Sequence, residues 1–394
     1  MTLTRRTTNS APARLPSIIL WCAFAALVAL TLNNLATAAF PFTAIDEHGH
    51  LSYTLHLINT HRWCPDFSQF PMVDVATNKA LHTPNYINHP PMFYWFMKLA
   101  HVAIPSLHPI QFRLFSLALS LLAMWLYTRF GTRLGLSVGG SILYALFPFM
   151  LYLQLQMGFY SNDAMALLGG VITNYASLHW LKGERPHRSI FWMGAGVLLA
   201  SVKLTALLLV GLYALFCLGL RAQQVRVLPR RFFLFGVFIA AISAAPFVYF
   251  LLTFGSPAPT TLGQLAQLKA CLHCNHAPME FFAWLGFFIS QFANQLSVPE
   301  ATFFPILAYA AALLALFWPR MNQPSSPMRA MAIASAAATL ITLGIHATFS
   351  WQRYHEYGWI FDSLVRYYLP LIGAYAAITC HALNPRTMMP DETP

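Results

Sequence analysis

The sequence predicts an all-α, polytopic membrane helix bundle, and three observations carry that expectation. Of its 394 residues, 57% are hydrophobic and only 9% are charged, against roughly a quarter charged in a soluble domain. Apolar runs of about 17 to 25 residues recur along the chain between short Pro, Gly and Arg clusters, which is the length an α-helix needs to cross a bilayer. The runs are continuous rather than alternating, so a β-barrel is not expected. The 23 Lys+Arg exceed the 12 Asp+Glu, but no segment is basic and polar enough for a nucleic-acid surface. The excess fits cytoplasmic loops.

Ten spans are expected, at about 17–40, 112–130, 137–157, 164–181, 190–202, 204–220, 232–253, 302–318, 329–349 and 366–383, within one integral-membrane domain covering 1–394. The first follows Arg5, Arg6 and Arg14 and is too long for a signal-peptide core, so it reads as an uncleaved span. Arg129 and Arg133, then Lys182, Arg185 and Arg188, then Arg221, Arg226, Arg230 and Arg231 alternate correctly if both termini are cytoplasmic. The stretch from Ile190 to Leu220 keeps that alternation only as a tight hairpin with Lys203 at its tip. The chain has no N-x-S/T sequon, which favours a bacterial inner membrane over a secretory one.

The acids fall on the other side. Nine of the 12, Asp46, Glu47, Asp66, Asp74, Asp163, Glu280, Glu300, Glu356 and Asp362, are placed outside, and eight His lie in the first outer loop, about 41–111. Acids contribute little to topology, so this clustering points to chemistry at the outer surface. Within that loop, Asp46 to Asn59 is expected to form an amphipathic helix along the membrane surface, with Leu51, Leu55 and Ile58 on its apolar side. Asp46 and His50 then share a face at i, i+4. Two prolines in His89-Pro90-Pro91 are expected to fix a turn that aims Phe93, Tyr94 and Trp95 at the interface. A second outer loop, 254–300, contains an aromatic stretch, Phe281 to Phe288, read as interfacial or re-entrant. Cys271 and Cys274 read as a disulfide, within the pair or to Cys64, ahead of free thiols or a single zinc knuckle.

Four motifs occur in a fixed order. Ala44-Ile45-Asp46-Glu47 follows the first span, and His89-Pro90-Pro91-Met92-Phe93-Tyr94-Trp95 ends the first outer loop. Ser161-Asn162-Asp163-Ala164 follows the third span, and Arg366-Tyr367-Tyr368-Leu369-Pro370 opens the last. Together they resemble the GT-C glycosyltransferases, the integral-membrane superfamily of protein mannosyltransferases and lipid A aminoarabinose transferases. The likeness is closest over 44–210 and thin over 250–350. It implies a GT-C-like bundle with juxtamembrane helices over a lateral groove. It also implies a polyprenyl-phosphate sugar donor and inverting transfer on the periplasmic face to a lipid, glycan or protein acceptor. Many members carry a further outer domain, so the acceptor-binding part is expected either from the 254–300 loop or not at all.

Such chemistry needs a base for the acceptor hydroxyl and positive charge for the departing phosphate. The resemblance makes Asp46 the candidate base and Asp163 the second acid; as helix-start residues, both also fit a capping role. Lys203 and Arg366 are the candidate phosphate ligands, with Tyr367, His89, His50 and Glu47 as further substrate contacts; the two cations equally fit lipid headgroups. Arg62, Lys79 and Arg353 are weaker alternates. No cofactor is required, although Glu47, His48 and His50 are candidates for a divalent metal. Two other readings stay open: a transporter or lipid flippase without transferase activity, which should carry midplane charges and repeats, and a non-catalytic scaffold. No internal repeat is visible in the sequence.

Overall fold

The computed structural model describes residues 14–42, 46–149, 157–226, 228–270, 279–294, 326–358 and 365–383. The expected span 302–318 and the Cys271–Cys274 pair lie outside them. The chain is a polytopic membrane helix bundle. Helix α1 (Arg14–Thr37) leads into a cap formed by α2 (Glu47–Asn59), strands β1 (Pro71–Val73) and β2 (Ala80–Pro84), and α3 (Met92–Ala103). Then come α4 (Phe112–Thr132), α5 (Val138–Leu146), α6 (Asp163–Leu181), α7 (Pro186–Ala200), α8 (Leu204–Gly219) and α9 (Arg230–Phe254). After α10 (Leu262–Ala270) and α11 (Phe281–Asn294) follow α12 (Pro327–Tyr357) and, behind a 3-10 turn at Val365–Leu371, α13 (Ile372–Leu383).

Among the described residues four helical stretches, Arg14–Thr37, Pro109–Thr132, Arg230–Phe254 and Pro327–Tyr357, are long and apolar enough to cross a bilayer. Their exposed faces are rich in large apolar side chains, such as Phe233, Leu234, Val237 and Phe238 on α9, as lipid-facing surfaces require. The centre is α6, which packs on α4, α7, α8, α13 and the 3-10 turn. Its neighbours approach closely because its contact points are glycines. A Cβ on Gly170 would lie 2.0 Å from the Pro370 carbonyl oxygen, and one on Gly169 would lie 2.4 Å from that of Gly196. Without a hydrophobic drive between helices in lipid, such small-residue contacts are how helices approach.

The cap departs from expectation in two ways. It contains an antiparallel hairpin, β1–β2, that the all-α reading lacks. It also buries α2 on both faces instead of leaving a polar side open: Glu47, His50, Ser52, Tyr53 and Thr54 are buried together with Leu51 and Leu55. The hairpin and α3 cover what would have been its polar face, and each buried polar group finds a partner, as burial demands. Ser52 Oγ accepts the Val73 N–H, Thr54 Oγ1 is 2.8 Å from the Tyr160 hydroxyl, and His50 Nδ1 is 2.7 Å from that of Tyr94. Phe93 and Tyr94 are likewise fully buried rather than interfacial. The aromatic stretch at Phe281 is the regular helix α11, whose Trp284 and Phe288 pack with Tyr354 of α12.

Candidate active site

Asp46 stands at the N-cap position of α2 with φ +64° and ψ +16°, in the left-handed region, and its side chain makes no capping hydrogen bond. Such a backbone is costly for most L residues and tolerated by Asp. Its neighbour Glu47 has a different task. Arg113 of α4 donates Nε and Nη2 to the two Glu47 oxygens at 2.9 and 2.7 Å, and the Tyr160 and Phe42 amides donate at 2.9 and 2.7 Å. Glu47 is wholly buried, and its carboxylate is used to pin α2 to α4 and to the segment before α6. Glu47 therefore sits in a structural clamp rather than at a substrate surface.

The metal candidates also point apart. His48 Nε2 lies 3.4 Å from the Val73 carbonyl, while Glu47 faces Arg113 and His50 faces Tyr94. Adjacent helical positions are separated by about 100°, so Glu47 and His48 cannot share a direction. Among the described residues no group of three or more His, Cys, Asp or Glu comes together.

Asp163 begins α6, and its amide is met by Ser161 Oγ at 3.1 Å, so the local cap is supplied by serine. The Asp163 carboxylate is engaged elsewhere: Lys203 Nζ lies 2.6 Å from Oδ1, with both side chains buried. Lys203 is the N-cap residue of α8 in extended conformation, at the tip of the α7–α8 hairpin. Asn162 Nδ2 holds the same tip through the Val202 carbonyl at 3.0 Å. Tyr367, on the 3-10 turn, places its ring 4.4 Å from Lys203 Nζ. The backbone of Arg366 lies in the same turn; its side chain is outside the described residues.

Lys203 opens into a cavity of about 170 Å³. Its lining combines Lys203, Arg353, His89 and Tyr367 with the apolar Leu204, Leu208, Phe247, Ile345 and Phe349. Two polar atoms facing this region, Thr205 Oγ1 and His346 Nδ1, are buried with no hydrogen-bond partner, which is unusual unless something fills the space. The Arg353 guanidinium donates to the Ala258 carbonyl, fixing it at the cavity wall.

Behind this cavity stands an aromatic and imidazole relay. His89 stacks on His50 at 5.9 Å, and His50 meets Tyr94. Burial pushes the Tyr94 hydroxyl well above its ordinary range, with Tyr53, Tyr160, Asp163 and Asp46 adding in the same direction. The charges of Asp46 and Asp163 thus both reach one buried side chain. Asp46 itself does not line the cavity. Arg62 is exposed, as is Lys79 beside the β1–β2 turn, both away from these groups.

Sequence reasoning missed Tyr94, Arg113, Thr205 and His346. Tyr94 was hidden in an apparently interfacial aromatic run, and His346 lies inside an apolar span, where a buried ionisable group was itself the available signal. Cys64 is a free thiol, which removes it from the disulfide reading; Cys271 and Cys274 lie outside the described residues.

A comparison with solved structures finds the crystal structure of ArnT from Cupriavidus metallidurans bound to undecaprenyl phosphate. ArnT is a GT-C glycosyltransferase. The likeness has 16% identity and a TM-score of 0.48, and it covers 93% of this chain and 59% of that one. The chain thus spans less than two thirds of the length of ArnT. No protein-family model and no curated protein matches.

Proposed function

We propose that this protein is a GT-C-type glycosyltransferase of the bacterial inner membrane, moving a sugar from a polyprenyl-phosphate donor to an acceptor on the periplasmic side. One observation carries the reading. A single cavity is lined by two fixed cations, Lys203 and Arg353, together with an apolar set, the combination that a lipid phosphate calls for.

In this reading the donor phosphate enters between Lys203 and Arg353, and its polyprenyl chain follows Leu204, Leu208 and Phe247 towards lipid. The acceptor oxygen forms a bond to the anomeric carbon from the face opposite the phosphate. The bond from that carbon to the phosphate oxygen breaks, its electron pair stays on the phosphate, and the configuration inverts. Asp46 takes the acceptor proton as general base. Lys203 and Arg353 stabilise the charge gathering on the leaving phosphate, and they act in a water-poor site where such charges count most. Asp163 holds Lys203 in place and shares its proton donors with the phosphate. His89, which lines the cavity and stacks on His50, links it to the helix that Asp46 opens.

The test is mass-spectrometric detection of transfer by the purified protein in lipid nanodiscs, offered a panel of polyprenyl-phosphate sugars and a membrane-lipid extract. Transfer by the wild type that falls by a factor of about 10² to 10⁴ in Asp46→Asn, with thermal stability retained, is the expected result. No turnover of any donor by the wild type, together with rescue of a deletion strain by Asp46→Asn, would overturn it in favour of a transporter or scaffold.

A further inference from the structure

The donor cavity has a neighbour. On the other side of Pro257, Phe349 and Arg353, which line both, lies an open cleft of about 770 Å³, within the range of small-ligand sites. One wall is the end of α12. At 31 residues this helix is about 46 Å long against a hydrocarbon thickness of about 30 Å, so it is longer than one crossing needs. Phe349, Gln352, Arg353 and Glu356 recur there at helical spacing and all line the cleft. The opposite wall follows α9, where Phe254 is held by edge-on packing against Phe67 at 5.4 Å and against Phe250 at 6.1 Å.

The geometry points to this cleft as the binding site for a neutral, hydroxyl-rich glycan, and, resting on the transferase reading, as the acceptor site. Phe254 and Tyr357 offer rigid ring surfaces to the C–H faces of a pyranose. Gln352 and Glu356 offer an amide and a carboxylate to its hydroxyls, with Thr260 beside them. The chemistry argues against an anionic ligand. Among the described residues, Glu356 and Arg353 both line the cleft, so its charges offset one another, and Arg353 stands where the cleft meets the donor cavity. That shared arginine puts the two cavities in contact, as transfer between two bound substrates requires.

The experiment is titration of the full-length protein in nanodiscs with maltotriose, cellotriose and triacetylchitotriose, read by saturation-transfer NMR. Glucose 6-phosphate serves as the anionic control, and undecaprenyl phosphate binding is measured in parallel. The expected result is that at least one neutral trisaccharide binds and that Gln352→Ala with Glu356→Ala weakens it at least roughly tenfold, about 1.4 kcal/mol. Undecaprenyl phosphate binding should stay unchanged in that variant. A wild type that holds undecaprenyl phosphate but no trisaccharide, or that prefers the phosphorylated sugar, or whose trisaccharide binding ignores the double variant, overturns the glycan site and leaves the donor reading standing. Trisaccharide binding without undecaprenyl phosphate binding does the reverse.

Discussion

Glu47–Arg113 and Asp163–Lys203 are both buried carboxylate–cation pairs, with N···O distances of 2.7 and 2.6 Å. They differ in what surrounds them. Both oxygens of Glu47 are bonded, by a two-pronged arginine and two backbone amides, and Glu47 is wholly buried. Lys203 borders two, one of them the donor cavity, with an aromatic ring at its side. A saturated charge pair holds elements together, whereas one that opens on a cavity is arranged to meet a further charge. The first pair ties the cap to the bundle; the second joins α6 to the tip of the α7–α8 hairpin at the edge of a cavity.

The contrast is sharpest in variants of the first pair. Arg113→Ala leaves Glu47 buried without its cation, and a loss of about 3 to 5 kcal/mol is expected. It would be read as a lowered unfolding temperature or loss of folded protein in detergent. If Arg113→Ala were as stable as wild type, the structural reading of that pair would fall. Lys203→Met should behave oppositely, costing less stability because solvent or ligand can reach Asp163. It should reduce donor binding by roughly 10²-fold, the loss of a charge-assisted bond of about 1.5 to 3 kcal/mol. Equal stability losses from the two variants would erase the distinction drawn here.

Between these extremes lies Tyr94→Phe. It removes the bond to His50 and leaves a buried imidazole nitrogen unmet, with an expected cost of about 1 to 3 kcal/mol. A change in the pH profile of transfer would show that His50 also positions the reacting groups. The smallest effects belong to the cap's surface. Burial pushes the Cys64 thiol up to about 11, so its alkylation by maleimide should be slow at pH 8 and rise steadily towards pH 11. A rate that levels off by about pH 10, as that of an ordinary thiol does, would place Cys64 in the open. Asp74 is held below its ordinary range chiefly by its hydrogen bonds from Thr77 and the Ala76 amide. That stabilisation of the β1–β2 turn is present above the unfolded carboxylate range and lost as the pH falls through the lower folded value. Faster amide exchange at Ala76 in acid checks it.

The bundle was legible in the sequence because span length and loop charge are strong, local signals. Even the hairpin with Lys203 at its tip followed from counting which side the arginines must occupy. The cap was not. Leu51, Leu55 and Ile58 describe one apolar stripe of α2, but nothing local in residues 71–84 announces the strands that cover its polar side. The pairings that organise the site are also remote in sequence. Glu47 and Arg113 are 66 residues apart, and Asp163 and Lys203 are 40; each residue is visible alone, but its partner is chosen only by the fold. Arg353 ranked low because it sits inside an apolar helix, where its spacing with Gln352 and Glu356 gains meaning only beside the cleft.

Gly170 deserves a last consequence. With the Pro370 carbonyl pressed against it, the most enclosed helix touches the very turn that carries Tyr367 alongside Lys203. A methyl group introduced at that point, as in Gly170→Ala, would act as a spacer, forcing the turn outward by about 1 Å or more. Position 170 thus sets how closely the turn that carries Tyr367 can approach the central helix, and it is at its tightest by having no side chain at all.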